Sequence, residues 1–194
     1  MTKYILQGGS TKKFSIKKYF NLWKLLSLIP RESKVLLVFF ARPKENWEDL
    51  LLETKRFRLV LARWDIDYIL ASDNPSEFAN QIKKCEVVYF RGGDTPMLQK
   101  KLEEISDPEK LLENKIVIGS SAGSLVFAKY YYDQDYDRVF DGLNFLSVKM
   151  ITHYMSNGEY AAMSGDDKFK MLEDYKEKLP AYAIREDEFV IIDN

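Results

Sequence analysis

The sequence holds a single cysteine, Cys85, and a single histidine, His153. One cysteine excludes an internal disulfide and any multi-cysteine metal site. One histidine means that any imidazole chemistry rests on His153 alone. Neither sign of charge is in excess, since 29 basic residues face 30 acidic ones for a net charge of -1. That balance excludes a global field steering the chain to nucleic acid or to an anionic membrane. The basic pairs Lys12-Lys13 and Lys17-Lys18 are too short to change this. No run of about 18 to 20 apolar residues occurs, and the first residues do not read as a secretory leader. A cytoplasmic protein without nucleic-acid or membrane partners is expected. Repeats, low-complexity tracts and linkers are lacking as well, so residues 1–194 are expected to form one domain.

Hydrophobic residues make up 46% of the chain and charged residues 30%, a soluble composition able to bury a substantial core. Short β-rich runs alternate with amphipathic ones. "KYILQGG" precedes a segment in which Phe14, Tyr19, Phe20, Trp23 and Leu26 recur at helical spacing before Pro30. "KVLLVFFA" is apolar with almost no alternation, as expected of a parallel strand covered on both faces. "NWEDLLLETKRFRLVLARW" reads as helix and "DYILAS" as strand. "NPSEFANQIKKC" opens with an Asn cap and Pro75 at the first helical position, and "EVVYFRGG" is the next strand. "DTPMLQKKLEEIS" and "DPEKLLENK" are helical, "KIVIGS" is a strand, and the tail "AYAIREDEFVIIDN" reads as a hairpin turning near Glu186-Asp187. This rhythm predicts a three-layer α/β/α sandwich around a mostly parallel sheet. In such sheets ligands bind beyond the carboxyl ends of the strands, here "QGGST", "RGGDT" and "GSSAGS".

Gly119-Ser120-Ser121-Ala122-Gly123 has the G-x-S-x-G form of a nucleophile elbow, with a strand before it and a helix-like segment after it. The middle residue, Ser121, would stand at the top of the sheet. Ser120 and Ser124 would serve the turn and the start of the helix. The same small residues also suit close helix packing, or phosphate binding without reaction. A reactive serine needs a base, and His153 follows the strand-like run "SVKMIT", so both fall at strand ends that converge on one rim. An orienting carboxylate is needed next. Asp133, Asp135, Asp137, Asp141 and Glu159 are the candidates. Gly92-Gly93, closing another strand, offers unobstructed backbone amides for an oxyanion, with the N–H of Ala122 as second donor.

These motifs, taken in order, resemble peptidase family S51, the group containing aspartyl dipeptidase (peptidase E) and cyanophycinase. The resemblance rests on "GSSAG", on "RGGDT" where the family has G-G-N-T or G-G-D, and on "FDGLNFLSVKMITHY", similar to its F-D-A-L-N segment leading to a histidine. It runs from near Lys3 to near the C-terminus. It implies a fold related to class I glutamine amidotransferases (flavodoxin-like), and a serine hydrolase without metal or cofactor. Carried over, Ser121 matches the nucleophile, His153 the general base, and Gly92, Gly93 and Ala122 the oxyanion hole. The family's acid is sought in the loop after the nucleophile, where Asp135 is the first candidate and Asp133 the second. Peptidase E-like enzymes hold an acidic substrate side chain with an arginine after the histidine. Here "SGDDKFKMLED" offers Lys168 and Lys170 instead, which lack the bidentate fork, and Arg91 is a further candidate. The expectation is a serine dipeptidase, monomeric or homodimeric, cutting short peptides such as Asp-X. The alternatives are another acyl hydrolase (an esterase or a cyanophycinase-like isopeptidase) and a catalytically silent anion-binding module.

Overall fold

The computed structural model describes residues 1–9, 16–60, 64–156 and 165–194. Ser10 and Thr11 of "QGGST", Phe14 of the first helical run, and Glu159 lie outside the described residues. The chain opens with β1 (Lys3–Gln7), α1 (Ile16–Ser27), β2 (Lys34–Val38) and α2 (Trp47–Val60). It continues through β3 (Asp67–Leu70), α3 (Pro75–Lys83), β4 (Val87–Phe90), α4 (Thr95–Glu103), α5 (Pro108–Leu111) and β5 (Ile116–Ser120). Helix starts follow local chemistry. The Asn74 side chain accepts the N–H of Glu77 at 3.0 Å with Pro75 opening α3, and Asp94 accepts that of Met97 at 2.6 Å to start α4.

Five strands form a parallel sheet in the order β1-β5-β4-β2-β3. The nearly unbroken apolar runs predicted to be covered on both faces are so: Leu36, Leu37, Val38, Val87 and Val88 are fully buried. Because the connection from β1 passes over two strand positions to β2 and later strands return, right-handed crossovers put α1 and α2 on one face and α3 to α5 on the other. This is the α/β, mostly parallel architecture expected. The return also brings the ends of β1, β5 and β4 side by side, with Gln7 level with Ser120 and Phe90 level with Gly119.

Beyond β5 the fold departs from expectation. The helix foreseen after the serines is one turn, α6 (Ala122–Leu125), and the chain passes at once into β6 (Ala128–Asp133). Tyr131 and Tyr132 in β6 are fully buried, and bulky aromatics pack better on a pleated surface than along a helix. With β7 (Arg138–Asp141), β8 (Leu146–Ile151) and, after α7 (Asp166–Glu173), β9 (Ala181–Ala183), it forms a second sheet ordered β7-β6-β8-β9. The tail is not a hairpin. β9 lies parallel to β8, whereas β10 (Phe189–Asp193) runs antiparallel to β1 in the first sheet. Residues 184–188 therefore cross from one sheet to the other. Phe127 stitches the two layers, its ring 5.4 Å from Tyr4, 5.0 Å from Phe90 and 5.7 Å from Phe145. None of the described helices is long and apolar enough to cross a membrane.

The second sheet holds a buried lysine. Lys149 in β8 has no exposed surface, and its Nζ donates to the carbonyls of Glu173 at 2.7 Å and Tyr175 at 2.5 Å. A cation thus closes the C-terminal end of α7, where unpaired carbonyls gather. Lys149→Met deletes both bonds and leaves two partly buried carbonyls at the helix end without their donor. It is expected to lower the unfolding free energy by about 2–4 kcal/mol, read as a lower urea midpoint at unchanged slope.

Candidate active site

Ser121 adopts φ 51° and ψ -116°, a conformation that residues with a side chain seldom accept. Surrounding bonds enforce it. Its N–H donates to the Gln7 carbonyl at 3.1 Å, and its carbonyl accepts from the N–H groups of Ser124 at 2.7 Å and Leu125 at 3.0 Å. Gly123 has to be small because a Cβ there would stand 2.0 Å from the Phe90 carbonyl oxygen. Ser124 is fully buried with its hydroxyl donating to Gln7, and Ser120 faces Tyr89. Of the three serines, only Ser121 turns its hydroxyl to His153.

His153 stands just past β8, also at positive φ, and its backbone N–H donates to the Gly8 carbonyl at 2.9 Å. Its Nε2 lies 3.0 Å from Ser121 Oγ and its Nδ1 3.0 Å from Glu186 Oε1. A carboxylate can only accept, so Nδ1 carries the proton, and Nε2 of the neutral ring accepts from the serine hydroxyl. The same carboxylate oxygen takes the Ser156 hydroxyl at 3.0 Å, which holds Glu186 on the ring. The His153 and Glu186 side chains are only 10% and 18% exposed, so bulk water competes little for these bonds. Gly9, at φ 98°, lies flat under the imidazole: a Cβ there would stand 2.3 Å from Cε1 and 2.5 Å from Nε2. Its carbonyl accepts the N–H of Asp187 at 2.8 Å. Three successive carbonyls at the end of β1 thereby hold the backbones at Ser121, His153 and the Glu186-Asp187 turn.

Gly92 packs on the elbow, a Cβ at Gly92 falling 3.0 Å from Ser121 Cβ. Among the described residues, nothing accepts the backbone N–H groups of Gly92, Gly93 or Ala122. Among the described residues, too, no group of three His, Cys, Asp or Glu side chains is placed to hold a metal ion.

Residues 5–194 match the family model of peptidase family S51. The chain belongs to peptidase family S51. It is similar in structure to a peptidase from an acI-B1 Actinobacterium, with a TM-score of 0.69 and 19% identity over 99% of this chain and 83% of that one. It is also similar to a candidate peptidase E from Listeria monocytogenes EGD-e, with a TM-score of 0.65 and 18% identity over 99% of this chain and 98% of that one. At such identities the likeness shows the fold alone. A comparison with curated protein sequences gives no match.

In this S51 peptidase the carboxylate on His153 is not one of those predicted. Asp135 is exposed on the turn after β6, with its N–H donating to Asp133 Oδ1 at 3.0 Å. Asp133 is buried; burial pushes its carboxyl above the ordinary range, while bonds from Thr95 and from the Asp135 and Tyr136 amides oppose the shift. Asp137 receives the Tyr132 hydroxyl and Lys168 Nζ, the lysine at 2.8 Å, and Asp141 pairs with Lys176 at 2.7 Å. From the β6 side it is Gln134, a neutral residue, that reaches this strand end, bonding the Thr152 carbonyl. Glu186 arrives from the opposite side of β8, just past the end of β9. The rule that singled out His153, a polar residue just past a strand, applies equally to Glu186. It was hidden because the tail read as a hairpin.

Two of the three cations proposed for substrate binding are engaged elsewhere. Arg91 donates to Glu53 at 2.9 Å and to Thr54 at 3.2 Å, both on α2. Lys168 is held by Asp137, and Lys170 is exposed on α7. Among the described residues none of the three touches Ser121 or His153. Gly9→Ala is expected to push the imidazole aside by about 1 Å or more, because the new methyl must reach ordinary contact distance near 3.5 Å. A crystal structure of the variant should show Nε2 beyond hydrogen-bond reach of Ser121.

Proposed function

We propose that this S51 member is a serine-type peptidase acting on short peptides. Ser121 is the nucleophile, His153 the general base and Glu186 the acid that orients the ring. The observation that carries the reading is His153 at 3.0 Å from both Ser121 Oγ and Glu186 Oε1, one ring nitrogen for each. His153 takes the hydroxyl proton as Ser121 Oγ attacks the scissile carbonyl. The tetrahedral oxyanion is met by the unclaimed amides of Ala122 and of the Gly92-Gly93 turn. The protonated imidazole then gives its proton to the leaving amine, and an acyl-enzyme remains. Water, deprotonated by the same ring, releases the acid.

The backbone strain at Ser121 supports this reading, since an elbow of this kind lifts the hydroxyl clear of the sheet. Asp-X dipeptides are the first substrates to assay. Because Arg91 and Lys168 are paired, any preference for an acidic residue would rest on other groups. A cytoplasmic setting agrees with the single, buried thiol of Cys85.

On a panel of dipeptides, Ser121→Ala is expected to abolish turnover. Glu186→Gln should lower kcat by roughly 10³- to 10⁴-fold, the scale seen when a triad acid is neutralised. Asp135→Asn should stay within about twofold of wild type, since it touches none of these groups. Undiminished hydrolysis by pure Ser121→Ala would sink the reading.

A further inference from the structure

The carbonyl of Gly92 is bonded by a side chain: Arg42, just beyond β2, donates its Nε–H to it at 2.8 Å. Among the described residues this is the only hydrogen bond of the Arg42 guanidinium, which is otherwise exposed. The rest of the Arg42 anchorage is backbone, its N–H donating to Phe39 at 2.8 Å and its carbonyl accepting Trp47 Nε1 at 2.9 Å.

The peptide linking Gly92 to Gly93 is trans. In a trans peptide the C=O and N–H point in opposite directions. In the sheet β4 lies between β5, which leads directly into Ser121, and β2, just beyond which Arg42 stands. A carbonyl drawn toward Arg42 therefore turns the Gly93 N–H back toward the serine side. That N–H has no acceptor among the described residues, and Gly92 itself lies against Ser121. A cationic donor on the carbonyl also shifts electron density toward oxygen, making the N–H of the same amide a stronger donor.

We propose that Arg42 is a positioning residue, fixing and polarising the Gly92–Gly93 peptide so that the Gly93 N–H meets the oxyanion formed at Ser121. This rests on the serine-peptidase reading above. The bond matters most once negative charge has developed, so it acts on the chemical step and not on ground-state binding.

The test does not need the natural substrate. A fluorophosphonate probe phosphonylates Ser121, expelling fluoride, and its phosphoryl oxygen uses the same donors. Losing an oxyanion donor outright costs about 10²- to 10³-fold. Losing only its support should lower the maximal labelling rate of Arg42→Ala by roughly 10- to 100-fold, with half-saturating probe concentration unchanged within about twofold. Arg42→Lys, which keeps a cationic donor, should recover part of the rate. Thermal melts of both variants should match wild type, the side chain being exposed. Wild-type labelling with Arg42→Ala equally fast would overturn the role of Arg42 alone, as would an effect confined to half-saturation. If wild-type Ser121 is never labelled, the serine reading falls and this proposal with it.

Discussion

The end of β1 and the two glycines after it offer three carbonyls in a row, and each accepts a backbone N–H from a different part of the chain. Gln7 accepts the N–H of Ser121, Gly8 that of His153 and Gly9 that of Asp187. Those partners come from the end of β5, the end of β8 and the crossing after β9. Without these bonds the three side chains would belong to separate loops. With them, the spacing between neighbouring residues of one strand end becomes the spacing of the site. The glycines allow this, since Gly9 lies directly beneath the imidazole where no Cβ could stand.

Holding the chain this way has a cost. Ser121 and His153 are both non-glycine residues at positive φ, and such conformations cost on the order of 1–3 kcal/mol each unless neighbours enforce them. What enforces them is the set of bonds on their backbones, to Gln7 at Ser121 and to Gly8 at His153. Beneath these lies a core shared by both sheets, in which Phe127 contacts Tyr4 and Phe90 on one side and Phe145 on the other. The same packing fixes where β8 ends relative to β5. Local strain at the serine and the histidine is thus maintained by those backbone bonds, with apolar contacts that reach up to Phe90, level with Gly119, packed beneath them.

Much of the first sheet was legible because its signals are local. "KVLLVFFA" reads as buried strand by itself, and Asn74-Pro75 marks a helix start without reference to the rest of the chain. Ser121 was legible because an elbow needs small neighbours, and the sequence supplies them on both sides. The second sheet was harder to see. "SLVFAKYYYD" begins with helix-compatible residues, and its β character is decided by the burial of Tyr131 and Tyr132 against residues distant in sequence. Glu186 was misread for a related reason. Two short β-rich runs around an acidic turn look the same whether they pair with each other or with two different sheets, and only long-range pairing tells them apart.

That distinction has a functional consequence. In a hairpin, Glu186 would sit at a free tip with both flanking strands on one edge. Here β9 is anchored on β8 and β10 on β1, so residues 184–188 are tied at both ends. The carboxylate is held by its chain as well as by its bonds to His153 and Ser156. Ser121 and its neighbouring amides belong to the first sheet, His153 belongs to the second, and Glu186 belongs to the segment joining them. Relative motion of the two sheets would therefore pull imidazole from hydroxyl. The tail strand on β1 resists that motion by closing the chain back onto the sheet that carries the serine.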